Sequence, residues 1–241
     1  TIAPNVDDGK PTFGALGHAI GLENFAVVTE DGVVLPPATL TESWHPATRT
    51  RPERFEVRAA QLDVGALAAL AVQLPIAPAQ RQLLTELAPH GRVNDANVEW
   101  QGRFPHVTGY RVRGDVENLA MNPLAARAEQ AAADGQPAQA ARPALPGFKN
   151  LSGRVDASDH GGSVDVDSDK LVLALPAWFA EPEMPFDQLA LHARWSFPRD
   201  DRLLVEVDSL NLSQGALKAS LSGRHLLPLA PGQGPGDADF T

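Results

Sequence analysis

Apolar residues alternate with polar ones along most of the chain, and the alternation changes parity in mid-run at recurring places. In "RLLVEVDSLNLSQGALKASLSG", Arg202 to Gly223, Leu203, Val205 and Val207 share one parity, and Leu210 and Leu212 take the other. The same jump of three separates Phe55, Val57 and Ala59 from Leu62 and Val64. It also separates Tyr110, Val112 and Val116 from Leu119 and Met121. A period of two marks a half-buried β-strand. A slip of three within it has two readings. It is a β-bulge that returns the apolar set to one face and bends the strand, or it is a strand end followed by a loop. Each copy follows a Trp (Trp44, Trp100, Trp195), and Leu40, Val98 and Leu191 stand upstream of these at even spacing. Strand, Trp, turn, strand and slip form a weak internal repeat.

Turn residues separate further strands. "SDHGG" (158–162) joins the alternations on either side, with Val164 and Val166 following it, and Leu171 to Leu175 is apolar on both faces. "PRDD" (198–201) and Asp31-Gly32 turn two more hairpins. Two helices interrupt the strands at about 63–88. Asp63 is placed to cap the first, Leu67, Leu70 and Leu74 share one face, and Pro75 stops it. The second has Pro78 in its first turn and Pro89-His90-Gly91 at its end. The pair reads as a helical hairpin packed on the sheet. Residues 125–144 are rich in Ala and Gln and lack large apolar residues, the composition of a flexible excursion. The Gly/Pro-rich tail ends in residues that suit the start of another strand.

Composition narrows the function classes. The 241 residues are 43% hydrophobic, enough for a folded core. A formal charge of −10 argues against nucleic acid as a partner and against docking on anionic lipid through a basic patch. Cys is absent, so there is no disulfide framework or thiolate metal site. No stretch reaches the ~20 apolar residues of a membrane span. No leader is seen and the chain begins at Thr1, as a piece excised from a longer protein would.

The motifs of enzymes are missing. There is no GxSxG elbow or phosphate-binding GxxxxGK[ST] loop, and no two of the seven His stand at HxxxH or HxH spacing. Asp165, Asp167 and Asp169 resemble the start of a calcium loop, but Lys170 and Pro176 occupy the places of its Gly and Glu. In a strand they line the solvated face opposite Val164 and Val166. No metal, cofactor or catalytic residue is expected.

Three stretches carry a family resemblance: "AAQLDVGALAALAVQLPIAPAQRQLLTELAPHGRVNDANVEW", "LPGFKNLSGRVDASDHGGSVDVDSDKLVLALPAWFAEP" and "RLLVEVDSLNLSQGALKASLSG". Their ordered features are the entry "PGFKNLSG", the "GGSV" hairpin followed by "LVLALP", and paired helices ending "LAPHGRV". Together they resemble the AsmA-like family, which includes TamB, and within it the central periplasmic region of the YhdP-like members. The likeness covers most of Phe55 to Thr241, and 125–144 looks longer than the usual link before "LPGF".

The resemblance implies an anchor in the Gram-negative inner membrane, a body extending across the periplasm, and a role in moving phospholipid between inner and outer membranes. The expected fold is mainly β, a long, strongly twisted and curved antiparallel sheet forming a U-shaped groove, with the helical hairpin packed on it. Residues 1–124 form the first groove segment and 145–241 the second, continuing beyond the fragment. Expected partners are phospholipid acyl chains, neighbouring segments of the same longer chain, and other copies of the piece through its open edges. Acyl chains need only continuous apolar area, worth about 25 cal/mol per Å² removed from water. The candidate groove residues are Val57, Val98, Tyr110, Val112, Val116, Val164, Val166, Leu171, Leu173, Val205 and Val207. Two rival readings stand beside this one. The first is a β-sandwich acting as a structural or interaction module. The second is a carbohydrate-binding module that stacks sugars on Trp44, Trp100 and Trp195, although such residues more often plug cores or line a rim.

Overall fold

The structure, a computed structural model, describes residues 4–7, 10–13, 17–30, 32–103, 106–129, 141–177, 179, 181–199, 201–229, 234 and 236–241. Asp31 and Asp200 of two expected turns, residues 130–140 of the Ala-rich excursion, and 230–233 and 235 of the tail lie outside the described residues. In chain order the elements are β1 (Pro4–Asp7), β2 (Lys10–Phe13), β3 (His18–Val28), β4 (Val34–His45), β5 (Arg54–Asp63), α1 (Val64–Gln73), α2 (Pro78–Leu87), β6 (His90–Gln101) and β7 (Gly109–Met121). Then follow β8 (Gly147–Ser158), β9 (Gly161–Asp169), β10 (Val172–Ala174), β11 (Glu183–Pro185), β12 (Gln188–Arg199), β13 (Arg202–Gln214), β14 (Leu217–Pro228) and β15 (Asp237–Phe240).

Thirteen strands form one antiparallel sheet in the order β15-β14-β13-β12-β9-β8-β7-β6-β5-β4-β3, with β10 on β8 and β11 on β10. Strands β1 and β2 pair with each other. The large sheet is open, because β3 and β15 stand at opposite ends of the pairing order. Pairing of β7 with β8, from Arg111↔Ser158 to Met121↔Phe148, carries the sheet across the 125–144 excursion without a gap. The arms of that excursion run antiparallel, with bridges Leu124↔Leu145 and Arg127↔Arg142, and Arg142 meets Glu86 of α2.

All three parity slips fall inside continuous strands and not at strand ends, and those on β7 and β13 are bulges. Val116 to Leu119 spans three steps on β7 against the two from Gly153 to Leu151 on β8. Val207 to Leu210 spans three on β13 against the two from Gly223 to Leu221 on β14. The slip from Ala59 to Leu62 on β5 leaves no register shift, because β6 makes the same step from Ala96 to Val93. A backbone signature marks the β7 step and four similar steps elsewhere in the chain. Asn24, Asp95, Asn118, Asn150 and Lys170 have φ between 50° and 60°. Each is the third residue of a four-residue step, in "LENF", "VNDA", "VENL", "FKNL" and "SDKL". Asn and Asp tolerate this left-handed conformation best among residues with a side chain. Each such residue uses up one position, and the next apolar side chain returns to its original face while the strand bends.

The helices form as their sequences dictate. The Asp63 carboxylate accepts the Ala66 N–H at 2.8 Å, and Pro78 opens α2. The end of α2 differs from expectation. Ala88, at φ 41°, closes it, and His90 and Gly91 already belong to β6. Helix α1 packs against β4, β5 and β6, and α2 packs against α1. Those three strands carry Ala38, Ala59 and Ala96, each buried.

Candidate functional site

Residues paired across neighbouring strands share a face, so register alone sorts the sheet into two surfaces. On one, the row Leu62–Val93–Val116–Gly153–Val166–Leu191–Leu210–Leu221 runs without a charged residue through eight strands, from β5 to β14. A second row on the same face, Val57–Val98–Val112–Ala157–Gly162–Trp195–Val205, lies toward the turns. Charged side chains on this face are rare. Glu42 is one, and its carboxylate meets His18 at 2.8 Å.

The opposite face is a ladder of ion pairs. Asp115, Arg154, Asp165 and His192 oppose one another on four consecutive strands. Arg154 meets Asp115 at 2.5 Å and His192 meets Asp165 at 2.6 Å. Hydrogen bonds from Arg154, Arg111 and Arg194 hold the carboxyls of Asp115, Asp156 and Glu206 below the usual carboxylate range. Asp165 is therefore a hydrogen-bond partner of His192, and Asp167 and Asp169 are exposed.

All eleven residues singled out in the sequence fall on the apolar face. Ten do so by register or strand parity. Leu171 joins them through packing, because it is clustered with Val166 and Leu189. Their exposure differs. Leu171 is 1% exposed and Val166 8%, so these two are core. Tyr110 is 46% exposed, and the other eight are half-buried. The members that pattern reading missed are those beyond the bulges, among them Val93, Leu151, Leu191 and Leu221. The Asn or Asp inside each four-residue step was the available signal in β6 and β8.

Helix α1 lies against β4 to β6, whose buried Ala38, Ala59 and Ala96 belong to this face, and little covers the rest. Among the described residues only ten apolar side chains are buried. The large apolar side chains left exposed on it lie mostly toward the two ends of the sheet: Ile20, Leu22 and Phe25 on β3, Leu217 and Leu221 on β14, and Phe240 on β15. The one buried polar residue among the described residues, Ser168, is satisfied: its hydroxyl accepts the Ser152 N–H at 2.8 Å and donates to the Ser152 carbonyl at 3.0 Å.

The tryptophans are mostly engaged with their neighbours. His18, Trp44, Phe55, Trp100 and Tyr110 form one transverse row at the turn end of β3 to β7. Phe55 and Trp100 stack at 5.1 Å with 5° between their planes, and Trp44 lies 6.3 Å from Phe55. The Trp44 Nε1–H donates to Glu53 at 2.8 Å. Trp195 packs over Gly162, where an added Cβ would come within 2.6 Å of its indole. These rings line a rim of the apolar face, and their contacts weaken the sugar-stacking reading.

A sandwich is equally poorly supported within this chain. The only sheet besides the large one, among the described residues, is the two-stranded β1–β2 pair. No helix among the described residues is long and apolar enough to cross a membrane. The family model of the YhdP protein matches residues 10–241. No curated protein and no solved structure matches the chain.

Proposed function

Because the chain belongs to the YhdP family, we propose that it is a segment of a lipid bridge whose apolar sheet face shields phospholipid acyl chains in transit between the inner and outer membranes. The YhdP family is a bacterial envelope family, and membership suggests a role in lipid transport. The observation that carries the reading is the apolar face, continuous over eight strands, covered by helix α1 only at β4 to β6, and backed by an ion-paired polar face. Bulges repeated from strand to strand bend the sheet into a trough, with the apolar side inward. Acyl chains have no directional groups to satisfy, so a floor of Val and Leu suffices. The polar face keeps the segment soluble in the periplasm. The chemistry is binding, with no bond made or broken.

The test is direct. Purified from bacteria without detergent, the protein should carry phospholipid, identified by extraction and mass spectrometry. Extracts free of lipid, together with failure to bind a fluorescent phospholipid added in solution, would remove the basis for the proposal.

A further inference from the structure

The aromatic rim has a basic counterpart on its other side. His45, Arg54 and Gln101 oppose one another across β4, β5 and β6. They are the chain neighbours of Trp44, Phe55 and Trp100, so they point to the opposite face at the same rim. The loop between β4 and β5 folds beside them and encloses a cavity of about 480 Å³, lined among others by His45, Thr48, Arg51 and Arg54.

The loop is braced. Thr48 N–H donates to the Arg51 carbonyl at 2.8 Å, and the Thr48 hydroxyl accepts the Thr50 and Arg51 N–H groups at 3.3 and 3.1 Å. Pro46 and Pro52 restrict the chain on either side.

In a chain of net charge −10, residues 45–54 hold Arg49, Arg51 and Arg54 against Glu53 alone. Glu53 is taken by Arg103 at 3.0 Å, and Arg54 meets Glu99 at 2.7 Å. The guanidinium groups of Arg49 and Arg51 have no carboxylate partner among the described residues, and both are exposed. Unpaired guanidinium on a braced loop is suited to a phosphate, which it meets with paired N–H donors. At about 8 Å, the screening length in physiological salt confines the repulsion of the distant carboxylates.

The geometry points to a headgroup site: the β4–β5 loop binds the phosphate of a phospholipid through Arg51, assisted by Arg49, while its acyl chains cross the aromatic rim onto the apolar face. This rests on the lipid-bridge reading and adds where the headgroup sits and which residues hold it. The aromatic row suits such a crossing, since Trp and Tyr favour boundaries between apolar and wet surroundings.

Three probes separate the terms, each titrated calorimetrically into the whole chain: dihexanoyl phosphatidylglycerol, inorganic phosphate, and hexanol, which carries the tail alone. Arg51→Gln, on an exposed loop, should weaken the phosphatidylglycerol about tenfold, the scale of one charge-assisted hydrogen bond. It should leave hexanol unchanged, and Arg51→Lys should restore part of the loss. Equal binding of phosphatidylglycerol by wild type and Arg51→Gln would overturn the headgroup site, and unchanged hexanol binding would leave the apolar-face reading standing. Inorganic phosphate binding as tightly as the lipid, with the same loss in Arg51→Gln, would also overturn it, as an anion site unconnected to lipid. Failure of both hexanol and phosphatidylglycerol to bind wild type would overturn the site and the bridge reading together.

Discussion

Leu171→Ala is expected to destabilise the protein by about 2–5 kcal/mol, the range for truncating a fully buried Leu. Leu171 is 1% exposed and clusters with Val166 and Leu189, with Leu151, Leu173 and Phe186 packed around them. It sits where the edge-to-edge pairing is interrupted. Lys170, at φ 54°, separates β9 from β10, and the Leu171 carbonyl accepts the N–H of Phe186, between β11 and β12, at 2.7 Å. Side-chain packing must hold this junction where the ladder does not. In an open sheet with few buried side chains, such a loss is a large share of a net stability of about 5–15 kcal/mol. Urea unfolding of the variant beside Leu173→Ala, at a half-buried position on the same face, measures it. A loss below about 1 kcal/mol, outside the range for core truncations, would mean that this cluster does not anchor the sheet.

Val112→Asp should deplete bound lipid while the fold survives. Val112 lies between Val98 and Ala157 on the apolar face and is half-buried. A carboxylate there stays hydrated in the free protein but would be stripped of water under acyl chains. A penalty of about 1.4 kcal/mol already means a tenfold loss in affinity, so co-purified phospholipid should fall at least about that much. Asp167→Asn, an exposed change on the opposite face, should keep its lipid. Far-ultraviolet circular dichroism checks that both variants remain folded. Unchanged lipid in Val112→Asp would place the ligand elsewhere.

The strands, the helices and the identity of the apolar face were legible because each rests on local pattern. Asp63 and Pro78 mark the helix starts, and the alternation from Phe55 to Ala59 fixes which residues of β5 share a face. The meaning of the parity slips was not legible from one strand. A slip on β7 is a bulge only because β8 pairs continuously past it, and that pairing joins residues far apart in the chain. The recurring Asn or Asp in the third place of the step was a local clue to left-handed backbone, visible in "LENF", "VENL" and "FKNL". Exposure was the least legible property. Val166 and Val205 look alike in alternating runs, yet one is core and the other half-buried, because burial depends on what neighbouring strands place beside each. The role of Arg49 and Arg51 has no local sequence signal, since it lies in lacking, among the described residues, the carboxylate partners that Arg54 and Arg103 find.

Photo-crosslinking from adjacent residues on opposite faces tests the lipid-bearing face most directly. A benzophenone amino acid would be placed singly at Val112, Arg113, Asn211 and Leu212, and the cells irradiated before purification. Val112 and Leu212 lie on the apolar face, and Arg113 and Asn211 on the polar one. The expected result is phospholipid adducts, read by mass spectrometry, at Val112 and Leu212 and none at Arg113 and Asn211. Adducts spread equally over both faces, or confined to the polar one, would contradict the assignment of the apolar face as the lipid path.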